Sequence, residues 1–294
     1  MNSLDSGIRV RLHARFAGCA RAGRYTKRTV LSLFVWLTTV LLVLFWFPFV
    51  YLVWRKDSDE FKYRTSAMIR RLNLAVCRVN PLIELDVQEG FKADPNRAYI
   101  VISNHQSMAD VPLLSNLPMP LKWVSKESLF KVPLTGWLMR MARDIPVRIR
   151  DPDKTDILDR AKAYGEHGLS VVFFPEGKRS KDGYLYRFSR GAFELAVDSG
   201  IPILPVAVDG LYRLLPMHSW RFTGEGKVLL KVLEAVETAG YSHKDAGYLR
   251  EKVRFQIMDQ LAEWRGVDRD DVDGIMKDAH NRATGELEDD PLFF

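Results

Sequence analysis

Cysteine is scarce in this chain: Cys19 and Cys77 are the only two in 294 residues, and neither lies in a CxxC pair or beside a histidine cluster. A disulfide scaffold and a structural zinc site are thereby excluded, and the usage suits a reducing compartment. Glycine (19) and proline (14) are too few for a fibrous or low-complexity chain. No G-x-S-x-G elbow is present and neither cysteine has an activating neighbour, so a covalent nucleophile is not implied. Gly177-Lys178 lacks the preceding glycine of a P-loop and has Arg179 where that motif has Ser or Thr. The acidic run 268–274 fails as a calcium loop, because placing Gly274 at position 6 puts Arg269 at position 1. There is no internal repeat.

Charge is missing from one long stretch, Thr29 to Trp54, 26 residues dense in Leu, Val, Phe and Trp. At about 1.5 Å per residue this is long enough for a hydrocarbon layer of about 30 Å. It exceeds the roughly 7 to 15 apolar residues of a signal peptide and has no small-residue cleavage site, so it reads as a retained membrane anchor. Positive charge brackets it. Residues 1–28 carry seven Arg/Lys against Asp5 alone, which equals the whole net charge of +6, and residues 29–80 add seven basic and three acidic side chains. The basic partner is therefore membrane lipid at the N-terminus, and nucleic acid is not implied. Because both flanks are basic and Pro48 can break the helix, the chain is expected to dip in, turn near Pro48 and return to the same, cytoplasmic face. A simple spanning helix is the alternative. Phe61–Val79 places Met68, Leu72, Ala75 and Val79 opposite Arg64, Arg71 and Arg78, the pattern of a helix lying in the membrane interface.

Beyond Pro81 short apolar runs alternate with helical stretches. The runs at 98–103, 170–174 and 203–208, with a further one at 228–232, suit strands buried on both faces of a mostly parallel or mixed sheet. Helical patterns fall at 111–117, 134–143, 153–167 and 191–199, and a closing amphipathic helix at 245–264. The fold class is α/β, a sheet flanked by helices and preceded by the membrane-embedded helical anchor. Four regions follow: a basic tail (1–28), the anchor and interfacial helix (29–80), an α/β domain (81–265) and a solvated acidic tail (266–294).

Chemistry collects where strands end. Asn104-His105-Gln106-Ser107-Met108-Ala109-Asp110 follows the first strong strand, and the carboxyl ends of strands are where ligands bind in an open α/β sheet. Across that turn the Asp110 carboxylate can accept one imidazole N–H of His105, leaving the other nitrogen as a base. After the next strong strand comes Phe174-Pro175-Glu176-Gly177-Lys178-Arg179-Ser180, a turn presenting a carboxylate and a guanidinium. Arg179 suits a phosphate, because its planar fork donates two hydrogen bonds at once.

These two blocks, with Lys122-Trp123-Val124-Ser125-Lys126 plus Pro133 and Gly136, and with the 201–206 segment IPILPV, resemble the four signature blocks of the glycerolipid acyltransferases, in family order from about Arg97 to Gly210. The resemblance implies an O-acyltransferase that moves an acyl chain from acyl-CoA or acyl carrier protein to the free hydroxyl of 1-acylglycerol-3-phosphate (lysophosphatidic acid), giving phosphatidic acid. His105 is then the general base held by Asp110, Glu176 and Gly177 hold the glycerol portion, Arg179 its phosphate, and Lys126 is a second cation. Asn104 and Ser180 complete the substrate-binding set; backbone N–H groups near Gly177 would serve the oxyanion. No cofactor or metal is implied. Two places depart from the family pattern: Lys178 stands where Thr is usual, and the Asp-Arg pairing near Arg148 and Arg150 is not reproduced, so neither is assigned. A different lyso-lipid or glycerol phosphate as acceptor is the alternative, followed by a non-catalytic protein that binds anionic lipid. The expected location is a membrane, as in the bacterial inner membrane, with the α/β domain on the cytoplasmic face.

Overall fold

Tyr99 and Val101 pack on one side of a sheet while Ile100 and Ile102 pack on the other, as the two-residue period of a strand requires. That double burial explains the uninterrupted apolar run and fixes this strand at the centre. The computed structural model of the protein describes residues 4–148 and 155–284, apart from the side chains of 4–24 and 282–284. In chain order the elements are α1 (Leu4–Lys56), α2 (Tyr63–Val79), β1 (Ile83–Gln88), β2 (Ile100–Ser103), α3 (Asp110–Leu114), β3 (Leu121–Lys126), α4 (Thr135–Met141) and β4 (Ile145–Val147). They continue with α5 (Thr155–Glu166), β5 (Ser170–Phe173), α6 (Gly191–Ser199), β6 (Ile203–Asp209), α7 (Leu211–Leu214), β7 (Gly226–Val232), α8 (Ala246–Arg265) and α9 (Gly274–Thr284).

The strands form one mixed sheet in the order β1-β7-β6-β2-β5-β3-β4. Every neighbouring pair is parallel except β6 with β7. The chain leaves β2 for β3 and β4 on one side, returns to β5 beside β2, and then crosses to β6 on the other side. Strand order thus reverses around β2, and such a switch point opens a crevice at the carboxyl ends of the strands. His105, Glu176, Asp209 and Lys126 all lie at that edge. One face of the sheet is covered by α5, α6 and α8, the other by α3 and α7.

The N-terminal region departs from expectation in three ways. Helix α1 runs unbroken through Pro48, and the chain reverses at residues 57–62 instead. There the buried Asp57 carboxylate accepts the Thr65 N–H (2.9 Å) and hydroxyl (2.7 Å), starting α2. The missing donor at Pro48 does not end the helix because packing on both sides of it, through Phe47 and Val50, holds the helical path. Secondly, α2 does not offer its apolar face to lipid: Leu72, with Met68, Ile69 and Val76, packs against α1 and α4. Thirdly, α1 lies along the domain. Val35, with Leu31 and Trp36, meets Leu82, Leu215 and Phe222, and Val50 with its neighbours meets Leu72, Leu138 and Met141. Trp36 Nε1 donates to the Trp220 carbonyl, and the Phe222 N–H donates to Ser32 Oγ at 2.9 Å. On its other side α1 exposes Leu33, Phe34, Leu37, Leu41, Leu44, Phe45 and Leu52.

The segment after α8 also differs from a solvated acidic tail. Val272 is fully buried, Asp273 pairs with Arg254 inside the protein, and Lys277 pairs with Asp182. One of the acidic residues that made the tail look soluble is structural: Asp273 is a buried ion-pair partner, while Asp270 and Asp271 lie exposed in the turn Arg269–Val272 that seats Val272. Residues 285–294 lie outside the described ones.

Candidate active site

Asp110 opens α3, and its carboxylate turns back over the loop that follows β2. Oδ2 accepts His105 Nδ1–H at 2.6 Å together with the backbone N–H groups of Gln106 (2.7 Å) and Ser107 (2.9 Å). The side chain is wholly buried, while that of His105 is 20% exposed. Three N–H donors on one carboxylate oxygen fix both the imidazole plane and its tautomer: Nδ1 carries the proton, and Nε2 is left as the basic nitrogen. The other face of the ring is held by Phe174, stacked at a centroid distance of 4.0 Å, with Trp123 behind it at 6.4 Å. Phe174 is the residue directly after β5, so the apolar strand that made this block legible also supplies the wall against the histidine.

Glu176 ties the two motif blocks together. Its Oε1 accepts the His105 N–H (2.9 Å) and its Oε2 the Tyr186 N–H (3.0 Å), while the Ser180 N–H donates to the His105 carbonyl (2.7 Å). Burial pushes the half-buried Glu176 carboxyl up to about 8, with the negative charge of Asp110 adding to it; the two N–H groups and Arg254 act in the opposite direction. Gly177 sits at φ 71°, where a side chain would be strained, and nothing lies within 4 Å of where a Cβ would be. Gly177 is exposed, so the turn is open at this point. Its own N–H donates to the Phe174 carbonyl at 3.1 Å, so Gly177 is not the expected oxyanion donor.

Arg179 is half-buried in the same turn and makes no hydrogen bond or ion pair among the described residues, leaving its fork unengaged. Lys126 is exposed at the end of β3, on the same edge of the sheet. Two expected substrate contacts are instead committed to the fold. Asn104 is buried, its amide donating to the Val208 carbonyl (2.8 Å) and accepting the Val208 N–H (2.9 Å), which extends the β2–β6 pairing by one residue. Ser180 is buried, donating to the Tyr184 carbonyl (2.9 Å) and accepting the Gly183 N–H (3.0 Å). Asn104→Ala would leave two buried backbone groups unpaired at about 1 to 3 kcal/mol each. The expected result is a lower unfolding midpoint by calorimetry with an unchanged acceptor KM; a raised KM at full stability would return Asn104 to the substrate.

Arg148 reaches across to Glu127 as a bidentate surface pair (2.7 and 3.1 Å), and Arg150 lies outside the described residues. Sequence reasoning missed a bracing layer below the site. Gln106 Nε2 donates to Asp209 Oδ1 (3.0 Å), and Arg265 holds Asp209 through both oxygens (2.6 and 2.9 Å) and also the Gly183 carbonyl (2.8 Å). Arg254 and Arg265 are eleven residues apart, three helical turns, and so share one face of α8. Arginine on the inward stripe of an amphipathic helix was the available signal. Lys122, fully buried, donates to Ser66 Oγ (2.7 Å) and to the Ala142 carbonyl; burial lowers it to about 8.

This arrangement has counterparts elsewhere. Residues 84–209 match the family model described as Acyltransferase. A chloroplastic 1-acyl-sn-glycerol-3-phosphate acyltransferase of Brassica napus is 34% identical over 184 residues, covering 62% of this chain and 52% of that protein. The alpha 1-acyl-sn-glycerol-3-phosphate acyltransferase of Mus musculus is 29% identical over 195 residues, covering 65% of this chain and 67% of that one. The chain thus spans about half the length of the first of these curated relatives. Among solved structures, the 1-acyl-sn-glycerophosphate (LPA) acyltransferase PlsC of Thermotoga maritima superposes with a TM-score of 0.68 at 26% identity, over 82% of this chain and 98% of that one. The domain match, the mixed α/β sheet and the four motif blocks in order make residues 84–209 of this chain similar to these acyltransferases.

Proposed function

We propose that the protein transfers an acyl chain from a thioester, acyl-CoA or acyl carrier protein, to the free hydroxyl of 1-acylglycerol-3-phosphate, giving phosphatidic acid. The observation that carries this reading is the His105–Asp110 dyad at the switch point of the sheet, with the unengaged Arg179 fork in the adjoining turn. An alcohol is a weak nucleophile at neutral pH. His105 Nε2 takes its proton as the oxygen attacks the thioester carbonyl, and Asp110 stabilises the imidazolium that forms. As the tetrahedral intermediate collapses, the carbon–sulfur bond breaks and the departing thiolate receives that proton. The new ester bond and a free thiol result, and the histidine is neutral again. Arg179, with Lys126 at the rim, holds the acceptor phosphate. Glu176 still has lone pairs for the glycerol portion, since each carboxylate oxygen accepts two hydrogen bonds. Purified protein given labelled acyl-CoA and a panel of lyso-lipids, glycerol 3-phosphate and monoacylglycerol tests the assignment: preferential labelling of 1-acylglycerol-3-phosphate is expected, and no transfer to any acceptor would refute it.

The acceptor and product are lipids, and the protein offers them a surface. Tyr25–Lys56 is long and apolar enough to cross a membrane by length and composition. Because α1 is docked on the domain, its outward apolar stripe enters one leaflet with the α/β domain held at the cytoplasmic surface, where a water-soluble thioester carrier reaches the cleft. Ala109, next to Asp110, packs against the same cluster as Val35 of α1, which puts the dyad beside the embedded helix. Full-length protein should need detergent for release. Deleting residues 1–56 uncovers Leu72, Leu138, Met141 and Leu215, so the expected product is aggregated protein, read by sedimentation, instead of a soluble domain. A monodisperse truncated protein would show that α1 is not docked.

A further inference from the structure

Below the cleft, a buried guanidinium engages backbone that the catalytic loops depend on. Arg254, on α8, has a side chain only 3% exposed. It donates to the Tyr186 carbonyl (3.1 Å) through Nε, and through Nη2 to the Leu185 carbonyl (3.0 Å) and Asp273 Oδ1. From the opposite side the C-terminal segment pairs with the same residues: the Leu185 N–H donates to the Val272 carbonyl (2.9 Å) and the Gly274 N–H to the Leu185 carbonyl (3.0 Å). Asp273 is itself oriented by the Ile275 N–H at 2.7 Å. The next amide along, Tyr186 N–H, is the one that holds Glu176, whose other oxygen holds the His105 N–H.

We propose that Arg254 is a positioning residue, which with Asp273 fixes the 185–186 backbone and so sets the Glu176 bracket that aims His105. Resting on the acyltransferase reading, this extends the site to a helix and a C-terminal segment outside the matched residues 84–209. A buried ion pair is weak as a source of stability, and an apolar pair of similar volume would fill the space as well. What an apolar pair would not supply is a planar fork that fixes two consecutive carbonyls at once. Arginine also acts on the charge of the bracket: burial and Asp110 favour the neutral Glu176, and Arg254 opposes both. Space is close on the far side too, because a Cβ on Gly274 would stand 2.7 Å from Tyr186 Cδ1.

The test uses full-length protein in detergent, comparing Arg254→Gln, Arg254→Lys and Gly274→Ala by acyl transfer and by hydrogen exchange at the His105 and Tyr186 amides. Misaiming a base by about 1 Å can cost about 10²-fold in rate. Arg254→Gln should lower kcat by about tenfold or more, with acceptor KM within about twofold, and should speed exchange at both amides; Arg254→Lys should recover part of each. Unchanged exchange at His105, or a loss carried by KM, would overturn the proposal. Should Arg254→Gln fail to fold, Gly274→Ala decides: a kcat loss of several-fold at wild-type KM supports it, and wild-type kcat refutes it. Exchange does not depend on turnover, so a wild-type protein inactive on every acceptor would sink the acyltransferase reading while the bracket is still judged from the amides.

Discussion

His105→Ala is expected to abolish nearly all acyl transfer, by at least about 10²-fold, while leaving the protein folded and membrane-bound. General-base catalysis contributes typically about 10² to 10⁴. Truncating the ring removes only a stacking contact with Phe174 and one of the three hydrogen bonds to Asp110, so the loop keeps its two backbone anchors. Asp110→Asn tests the other half of the dyad. The amide oxygen still accepts the Gln106 and Ser107 N–H groups, but no charge is left to favour the imidazolium. A loss of the same order is expected, with the unfolding midpoint lowered because a buried amide N–H₂ then occupies the space around Oδ1, which has no hydrogen-bond partner. The measurement is transfer of a labelled acyl chain to 1-acylglycerol-3-phosphate; a His105→Ala protein within tenfold of wild type would remove the base from the mechanism.

Arg179→Ala should act on binding. A hydrogen bond to a charged group is worth about 1.5 to 3 kcal/mol, which corresponds to a rise in acceptor KM of about 10- to 150-fold. The kcat should change far less, since the phosphate takes no part in the bonds made and broken and is held equally in ground and transition states. Arg179→Lys keeps the charge without the planar fork and should fall between the two. The deciding comparison is monoacylglycerol, which has no phosphate: its KM should be nearly the same for wild type and variant. Equal losses on both acceptors would assign Arg179 a structural part in the turn after β5.

How far the site was legible varies residue by residue. The dyad could be read because its members lie five apart on one turn after a strand whose double burial leaves an unmistakable apolar run. Asn104 and Ser180 lie in the same blocks, yet their polar groups are taken by Val208 in β6 and by residues 183–184. Motif membership did not distinguish a side chain that meets substrate from one that closes the fold around it. Strands β2, β5, β6 and β7 were legible for the same reason as the dyad's setting. β1, β3 and β4 were not: β1 is an edge strand with Glu84 and Asp86, β3 has Lys122 at its second position, and β4 is three residues long with Pro146 in the middle.

The sequence by itself determined the α/β class, the apolar helix, the two loops that follow β2 and β5 and the spacing that brings Asp110 to His105, since each depends on local period, turn chemistry or spacing within a few residues. Tertiary structure alone decided what each apolar face meets. An amphipathic helix has the same pattern whether lipid or protein covers it, and α2 proved to face α1 and α4. It decided that α1 lies along the domain, that the acidic segment after α8 is partly core, and that Arg254 and Glu176, 78 positions apart, are linked through the peptide between Leu185 and Tyr186. These outcomes depend on contacts between elements distant along the chain, where burial and desolvation, absent from any local pattern, set which partner a residue takes.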